Sequence, residues 1–221
     1  MAEKSLVLVL ISDTHELHRE ISVPNGDVLI HAGDFTMFGR SLQALKDFNG
    51  WLGELPHRHK IVICGNHEYA FDDTLRYYRL LTNAVVLVNE SLVIEGAKFW
   101  GSAFSMLDES GPARTREAER QRIYDAIPLD TDVVITHGPP HGVLDTTVEY
   151  QGHTGDRELL RAIRRVKPKL HVFGHIHASY GARNTRDTLF INAALLDWDG
   201  SLAKLPIVVR LTEFKHHEPG A

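Results

Sequence analysis

The chain has 221 residues, a length that predicts a single large domain spanning 1–221. With 43% hydrophobic and 24% charged residues it can bury a core, which excludes disorder as its dominant state. Lys and Arg number 24 against 29 Asp and Glu, and the resulting charge of −5 excludes the global positive field of a non-specific nucleic-acid or membrane-surface binder. Any anionic ligand must then be held locally.

The run Leu6 to Ile11 is a strand: it is too short for a secretory core, lacks a small-residue cleavage site and is followed by Ser12 and Asp13. No stretch approaches the roughly 18 apolar residues of a membrane span, so the expectation is a cytoplasmic protein with no membrane partner. Further short Val/Ile/Leu runs at 28–30, 61–63, 85–88, 133–135, 170–173, 189–191 and 207–211 alternate with helix-like stretches, which predicts an α/β protein with covered sheets. Ser41 can cap a helix whose apolar positions Leu42, Leu45, Phe48, Leu52 and Leu55 keep helical spacing up to Pro56. Residues 72–82 and 115–127 give weaker helical patterns. Leu92 to Ile94, Glu95-Gly96 and Ala97 to Trp100 read as a hairpin. A further helix opens near Thr154 to Asp156, buries Leu159, Leu160, Ile163 and Val166, and stops before Pro168. Residues 108–113 and 138–153 are loops, and 215–218 a frayed tail.

The single cysteine, Cys64, excludes a disulfide framework and a cysteine-rich zinc site, whereas 14 histidines exceed what packing needs. The residues just past the apolar runs account for part of that excess. Residues 6–11 lead into Asp13-Thr14-His15, 28–30 into Gly33-Asp34, 61–63 into Gly65-Asn66-His67-Glu68, 133–135 into His137-Gly138, and 170–173 into Gly174-His175-Ile176-His177. Ligand crevices of α/β sheets lie outside the carboxyl ends of the strands, so these groups can converge although they span most of the chain. Imidazole, carboxylate and amide donors without thiolate suit Mn, Fe, Zn, Ni or Co. Asp13, His15, Asp34, Asn66, His137, His175 and His177 are too many for one ion that must leave room for substrate, and they fit two if a carboxylate bridges. Such a pair would be about 3.5–4 Å apart, could activate a shared hydroxide and would attract phosphate. His67 is then the free imidazole placed to meet substrate.

Together D-x-H, G-D, G-N-H-E, H-G and G-H-x-H, in that order, resemble the calcineurin-like metallophosphoesterase superfamily. Phe48-Asn49-Gly50-Trp51-Leu52-Gly53, Leu80-Leu81-Thr82-Asn83, Thr136-His137-Gly138-Pro139-Pro140 and residues 167–174 look like the vertebrate brain metallophosphoesterase-domain proteins and their bacterial relatives. The resemblance implies a four-layer αββα sandwich of two mixed sheets flanked by helices. It implies a first metal on Asp13, His15, Asp34 and His177, and a second on Asp34, Asn66, His137 and His175, with Asp34 bridging. Mn2+ is the leading expectation, with Fe, Zn, Ni or Co as alternatives. The implied activity is hydrolysis of a P–O bond by a metal-bridging hydroxide, on phosphodiesters and first of all cyclic nucleotides. Asp34 and His67 would be catalytic, and Asn66, His67 and His141 would touch substrate. In one vertebrate branch a glycine replaces the residue matching His175, which this chain keeps. Many members place an acid three residues after the G-D aspartate to orient the catalytic histidine, and here Met37 stands there.

Alternative functions are a phosphomonoesterase acting on nucleotides or phosphoproteins and a catalytically weak nucleotide-binding or scaffold protein. The partner expected is a small phosphoester or nucleotide rather than extended nucleic acid, on a monomer or dimer. His31 reads equally as support for the site or as a buried histidine bonded to backbone, and His18, His141 and His153 as solvated loop residues. Cys64 reads as core. Arg161, Arg164, Arg165, Lys167 and Lys169, and Arg114, Arg116, Arg120 and Arg122, read as solvated faces. Phe104 and Trp198 are candidates to stack on a base.

Overall fold

The computed structural model describes residues 5–38, 41–70, 79–102, 117–148 and 152–212. The expectations for residues 72–78, for the loop at 108–113, for Phe104, Arg114 and Arg116, and for the tail at 215–218 lie outside the described residues. No helix among the described residues is long and apolar enough to cross a membrane.

One sheet contains β1 (Leu6–Ile11), β2 (Val28–His31), β3 (His59–Val62), β4 (Val85–Val86) and β11 (Ile207–Leu211), in the order β11-β1-β2-β3-β4. The other contains β5 (Glu90–Ile94), β6 (Ala97–Ser102), β7 (Val133–Thr136), β8 (Leu170–Phe173), β9 (Gly181–Asn184) and β10 (Leu189–Asn192), in the order β5-β6-β7-β8-β10-β9. Both are mixed: β1 to β4 run parallel with β11 antiparallel, and β6, β7, β8 and β10 run parallel between antiparallel β5 and β9.

Strand periodicity sorts the side chains into layers. Leu6, Leu8 and Leu10 of β1, Val133 and Ile135 of β7, and Leu170 and Val172 of β8 meet in the core between the sheets. Val9 and Ile11 point the other way, onto α1 (Leu42–Glu54), where Leu45, Phe48, Trp51 and Leu52 are buried. Val134 and Phe173 likewise pack on the outer side of the second sheet against Tyr124 of α2 (Glu117–Asp125) and against Leu159, Ala162, Ile163 and Val166 of α3 (Arg157–Val166). The result is the four-layer αββα sandwich. Burial of both strand faces is the reason these strands read as continuous apolar runs rather than alternating ones.

The local signals act as expected at the helix ends. The Ser41 hydroxyl accepts from Ala44 N at 3.1 Å, and the Asp156 carboxylate accepts from Glu158 N and Leu159 N at 2.8 and 3.3 Å. Lys167 closes α3 in the left-handed region at φ 51°, just before Pro168. The hairpin turns through Glu95 and Gly96, both at positive φ, as a two-residue connection between twisted strands requires. Other expectations are corrected. Leu42, in the first turn of α1, is exposed, and Trp51 takes its place on the packed face. Leu160 is only partly buried. The run at 85–88 pairs only at Val85 and Val86, and β9, which is mostly polar, gave no apolar signal. His18 is buried rather than solvated, its Nε2 2.9 Å from Asp47 Oδ2. Arg120 pairs with Asp156 at 3.1 Å, and Arg165 donates to the carbonyls of Tyr124, Asp125 and Ile127, so two of the supposed surface arginines tie α2 to α3.

Candidate metal centre

Because β1, β2 and β3 run parallel, their carboxyl ends deliver Asp13, Asp34 and Asn66 to one edge of the first sheet, and β7 and β8 deliver His137, His175 and His177 to the matching edge of the second. A bridge between Ser12 and Ala194 joins the two edges. The loops are stitched to one another by main-chain bonds: Asp13 N donates to Gly33 O at 2.9 Å, Thr14 N and His15 N donate to Asp34 O at 3.0 and 3.1 Å, and Gly174 N donates to His137 O at 2.9 Å. Asp13, His15, Asp34 and His175 all take positive φ, at 53, 38, 55 and 68°. Such backbone costs on the order of 1 kcal/mol at each non-glycine residue and persists only where surrounding contacts over-determine it. The motif glycines serve close approach: a Cβ at Gly65 would run into the Asp34 carboxylate, and one at Gly174 into the Asp13 carboxylate and Ser12.

Among the described residues, ligand-type atoms fall into three overlapping groups, each within 4.8 Å: Asp13, His15 and His177; His15, Asp34 and His67; and Asp34, His137 and His175. Asp34 and His15 each belong to two of them, and Asp34 is the one carboxylate that does. Its Oδ2 lies 3.1 Å from His137 Nε2 and 3.9 Å from His67 Nε2, while its Oδ1 accepts from His67 N at 2.9 Å. Asp13 Oδ1 lies 3.3 Å from His177 Nε2, and both its oxygens accept from His175 N, at 3.1 and 2.9 Å. Asn66 Oδ1 lies 3.0 Å from His137 Nε2.

The imidazoles are aimed by main-chain carbonyls. His15 Nδ1 donates to Thr36 O at 3.1 Å, His137 Nδ1 to Ala32 O at 2.8 Å, and His177 Nδ1 to Asp197 O at 3.1 Å. His67 Nδ1 donates to Met37 O. A carbonyl can only accept, so each Nδ1 carries a proton and each Nε2 faces the crevice, the orientation a metal ligand needs once Nε2 has no proton. The partner of His67 is thus the main chain of Met37, the third residue after the G-D aspartate. Side-chain identity at Met37 could not announce a role played by its carbonyl.

Electrostatics match this geometry. Burial alone would raise Asp13, yet the hydrogen bond with His177 and the nearby His137 imidazole hold it well below the usual carboxylate range. Asp34 is likewise buried but is pulled down chiefly by His137. Burial alone would lower His137, and the Asp34 carboxylate outweighs it and pushes that imidazole up to about 10. His175 is pushed down to about 4 by burial and by its neighbour His137. Without metal, then, carboxylate and imidazolium hold the crevice together.

Glu68 is the contributor that sequence reasoning left without a role. Its buried carboxylate accepts from Asp34 N and Gly65 N through Oε2, at 2.9 and 2.8 Å, and from Thr36 N and Thr36 Oγ1 through Oε1, at 2.9 and 2.8 Å. It pins the G-D loop to the G-N-H loop. Burial and the Asp34 carboxylate push Glu68 up to about 7, but four converging donors are met in full only by the ionised, acceptor-only form. Two further buried histidines support ligand loops. His31 Nδ1 accepts from Gly33 N at 3.3 Å, which leaves its Nε2 to donate to Thr14 Oγ1 at 3.0 Å. The Thr136 hydroxyl donates to Gly138 O at 2.8 Å, which leaves His171 Nε2 to donate to it at 2.9 Å. His31 therefore combines its two expected readings, a buried histidine bonded to backbone that also steadies the site.

His141 is not brought to these groups. The loop after His137 is tied to the start of α3 by His141 N donating to Asp156 O at 3.0 Å, and the His141 ring rests 5.4 Å from that of His153, beside a separate cavity bordered by Arg164, Lys167 and Arg183. His153 pairs with the buried Asp145 at 2.7 Å. Cys64 is a buried thiol of the core.

A family model described as calcineurin-like phosphoesterase matches residues 6–179, from the start of β1 to beyond His177. The chain belongs to the calcineurin-like phosphoesterase family. That family consists of metal-dependent phosphoesterases built on a binuclear divalent centre, and the three groups above are the candidate ligands for one here. Among similar proteins, human metallophosphoesterase domain-containing protein 1 is 38% identical over 229 residues, which cover 92% of this chain and 70% of that protein. The UPF0046 protein K07C11.7 of Caenorhabditis elegans is 38% identical over 218 residues, covering 92% of this chain and 74% of that protein. A solved crystal structure at 18% identity superposes with a TM-score of 0.69 over 89% of this chain and 92% of its own, a likeness of fold.

Proposed function

We propose that this chain is a phosphodiesterase that holds one divalent ion on Asp13, His15, Asp34 and His177 and a second on Asp34, Asn66, His137 and His175. The observation that carries the reading is a chain of shared groups: Asp34 lies with His137 and His175 in one and with His15 and His67 in another, and His15 in turn lies with Asp13 and His177 in the third. Nitrogen and oxygen donors without thiolate suit Mn2+ first, and admit Fe, Zn, Ni or Co. When bound, such ions neutralise charge on phosphoryl oxygens and render water nucleophilic near neutral pH.

The chain's own residues do the rest. Two ionised aspartates against two bound divalent ions would leave a formal charge of about +2, which would favour phosphate in the crevice of an otherwise acidic protein. His67 is more exposed than the ligand His137, and its Nδ1 bond to Met37 O turns Nε2 toward the crevice, where the doubly protonated ring gives its Nε2 proton to the departing ester oxygen. The cavity adjoining His175 and His177 is walled, among the described residues, by the apolar Val148, Ile176, Ala178 and Trp198, a surface suited to a second organic substituent. Small cyclic nucleotides are the leading substrates, in line with the resemblance read from the motifs.

The test is turnover of bis(p-nitrophenyl) phosphate, p-nitrophenyl phosphate and 2′,3′- and 3′,5′-cyclic nucleotides by metal-stripped protein to which each divalent ion is returned. The diesters should be hydrolysed faster than the monoester. A monoester preference would make the chain a phosphomonoesterase, and no turnover with any ion would leave a binding protein.

A further inference from the structure

The cavity beside the ligand cluster has a volume of about 360 Å³ and is walled by Val148, Ile176, Ala178 and Trp198 together with His175 and His177. Of the three tryptophans, Trp51 and Trp100 are buried in the cores, whereas Trp198 is 77% exposed. Val148, across the same cavity, is 74% exposed. A large indole left facing water beside two histidines of the ligand groups offers a flat apolar face to whatever those groups hold.

The main chain that carries Trp198 is also fixed relative to those groups. Trp198 follows Asp197, whose carbonyl accepts from His177 Nδ1 at 3.1 Å. The same carbonyl accepts from Gly200 N at 3.0 Å and Asp197 N donates to Ser201 O at 2.9 Å, which closes a tight turn around Trp198 with Gly200 at φ 80°. The Lys204 ammonium clamps this turn by donating to His177 O at 2.6 Å and Leu196 O at 2.8 Å and by pairing with Asp197 Oδ1 at 3.2 Å. One set of contacts therefore aims the His177 imidazole and orders the turn from which the indole projects.

On the proposed phosphodiesterase reading, we infer that the Trp198 cavity is the subsite for the retained ester substituent, and that it takes a planar aromatic group, a nucleobase or an aryl ring, stacked on the indole. The direction comes from His67, the proton donor to the leaving oxygen, which is not among the walls of this cavity. Its ring instead touches those of His15 and Phe38, at 4.5 and 6.2 Å between centroids. In an acyclic diester the substituent that departs lies toward His67 and the one that stays lies toward Trp198, and in a cyclic nucleotide, whose one ribose carries both ester oxygens, the base lies toward Trp198.

Two diesters with one leaving group test this: bis(p-nitrophenyl) phosphate and methyl p-nitrophenyl phosphate, which differ only in the retained substituent. Trp198→Ala should lower kcat/KM on the bis-aryl ester about tenfold more than on the methyl ester, mainly through KM, and Trp198→Phe should restore most of the loss. Equal losses on both esters would make Trp198 a positioning residue for His177 and overturn the subsite, as would no loss on either. Binding is read separately by titrating adenosine 5′-monophosphate into protein loaded with diamagnetic Zn2+. Quenching of tryptophan emission in the wild type that disappears in Trp198→Phe supports the subsite, and quenching that is absent or persists in the variant overturns it. If neither diester is hydrolysed the phosphodiesterase reading fails, and if both are hydrolysed without quenching it stands and the subsite falls.

Discussion

Replacement of Glu68 by Gln removes one acceptor from a place where four donors converge. The amide oxygen can take over the bonds from Asp34 N and Gly65 N, which Oε2 now accepts, and its NH2 then faces Thr36. The Thr36 hydroxyl can turn to accept from that NH2, but Thr36 N, which donates to Oε1 at 2.9 Å, loses that acceptor. The opposite flip strands Asp34 N and Gly65 N together and is worse. One buried unpaired donor costs about 1–3 kcal/mol. For a chain of this length that lowers Tm by about 2–12 °C. The effect extends to the metal centre, because Thr36 O is the acceptor that aims His15 Nδ1, and the variant should bind metal more weakly. Thermal unfolding of metal-free protein and titration with Mn2+ measure the two consequences. A Glu68→Gln protein with wild-type Tm and wild-type metal affinity would show that the native carboxyl is a protonated group equivalent to an amide, and would refute its role as an ionised clamp.

His67→Asn should retain the full metal content while turnover falls by about 10²–10⁴, since the side chain acts on the leaving oxygen; an unchanged rate removes it from the mechanism. Gly174→Ala drives a methyl group against Asp13 and Ser12, so it should cost about 1–3 kcal/mol in denaturant unfolding and weaken metal binding, whereas wild-type behaviour would show that these loops have slack. His137, raised to about 10 by Asp34, carries a proton at pH 7 in metal-free protein and must lose it for Nε2 to ligate. Metal loading should therefore release protons and tighten as pH rises from 6 to 8, visible as buffer-dependent heats in calorimetry, and buffer-independent heats would contradict this pairing.

The sandwich is legible in the chain because both faces of the central strands are buried: Leu8 and Leu10 face the inter-sheet core while Val9 and Ile11 face α1, and such a strand is apolar throughout. The ligands are legible because parallel strands put each post-strand polar residue at one edge. Less legible are contacts made by main chain, whose partner is independent of side-chain identity, as with Met37 O and His67 or Asp197 O and His177. Polar edge strands such as β9 carry no apolar signature. Histidine burial was misjudged where a long-range partner decided it: His18 is held by Asp47, 29 positions away. Glu68 was hidden by its context, an acid in a polar loop whose four donors come together only in the folded chain.

The most direct test of the dinuclear centre is elemental analysis of protein loaded with Mn2+ and freed of excess ion, alongside Asp34→Asn and His175→Ala. Two ions per wild-type chain are expected, with both variants holding fewer and losing turnover. Wild-type protein that retains no transition ion, or an Asp34→Asn variant that keeps two, would contradict the claim that one carboxylate joins two ligand sets at the sheet edges.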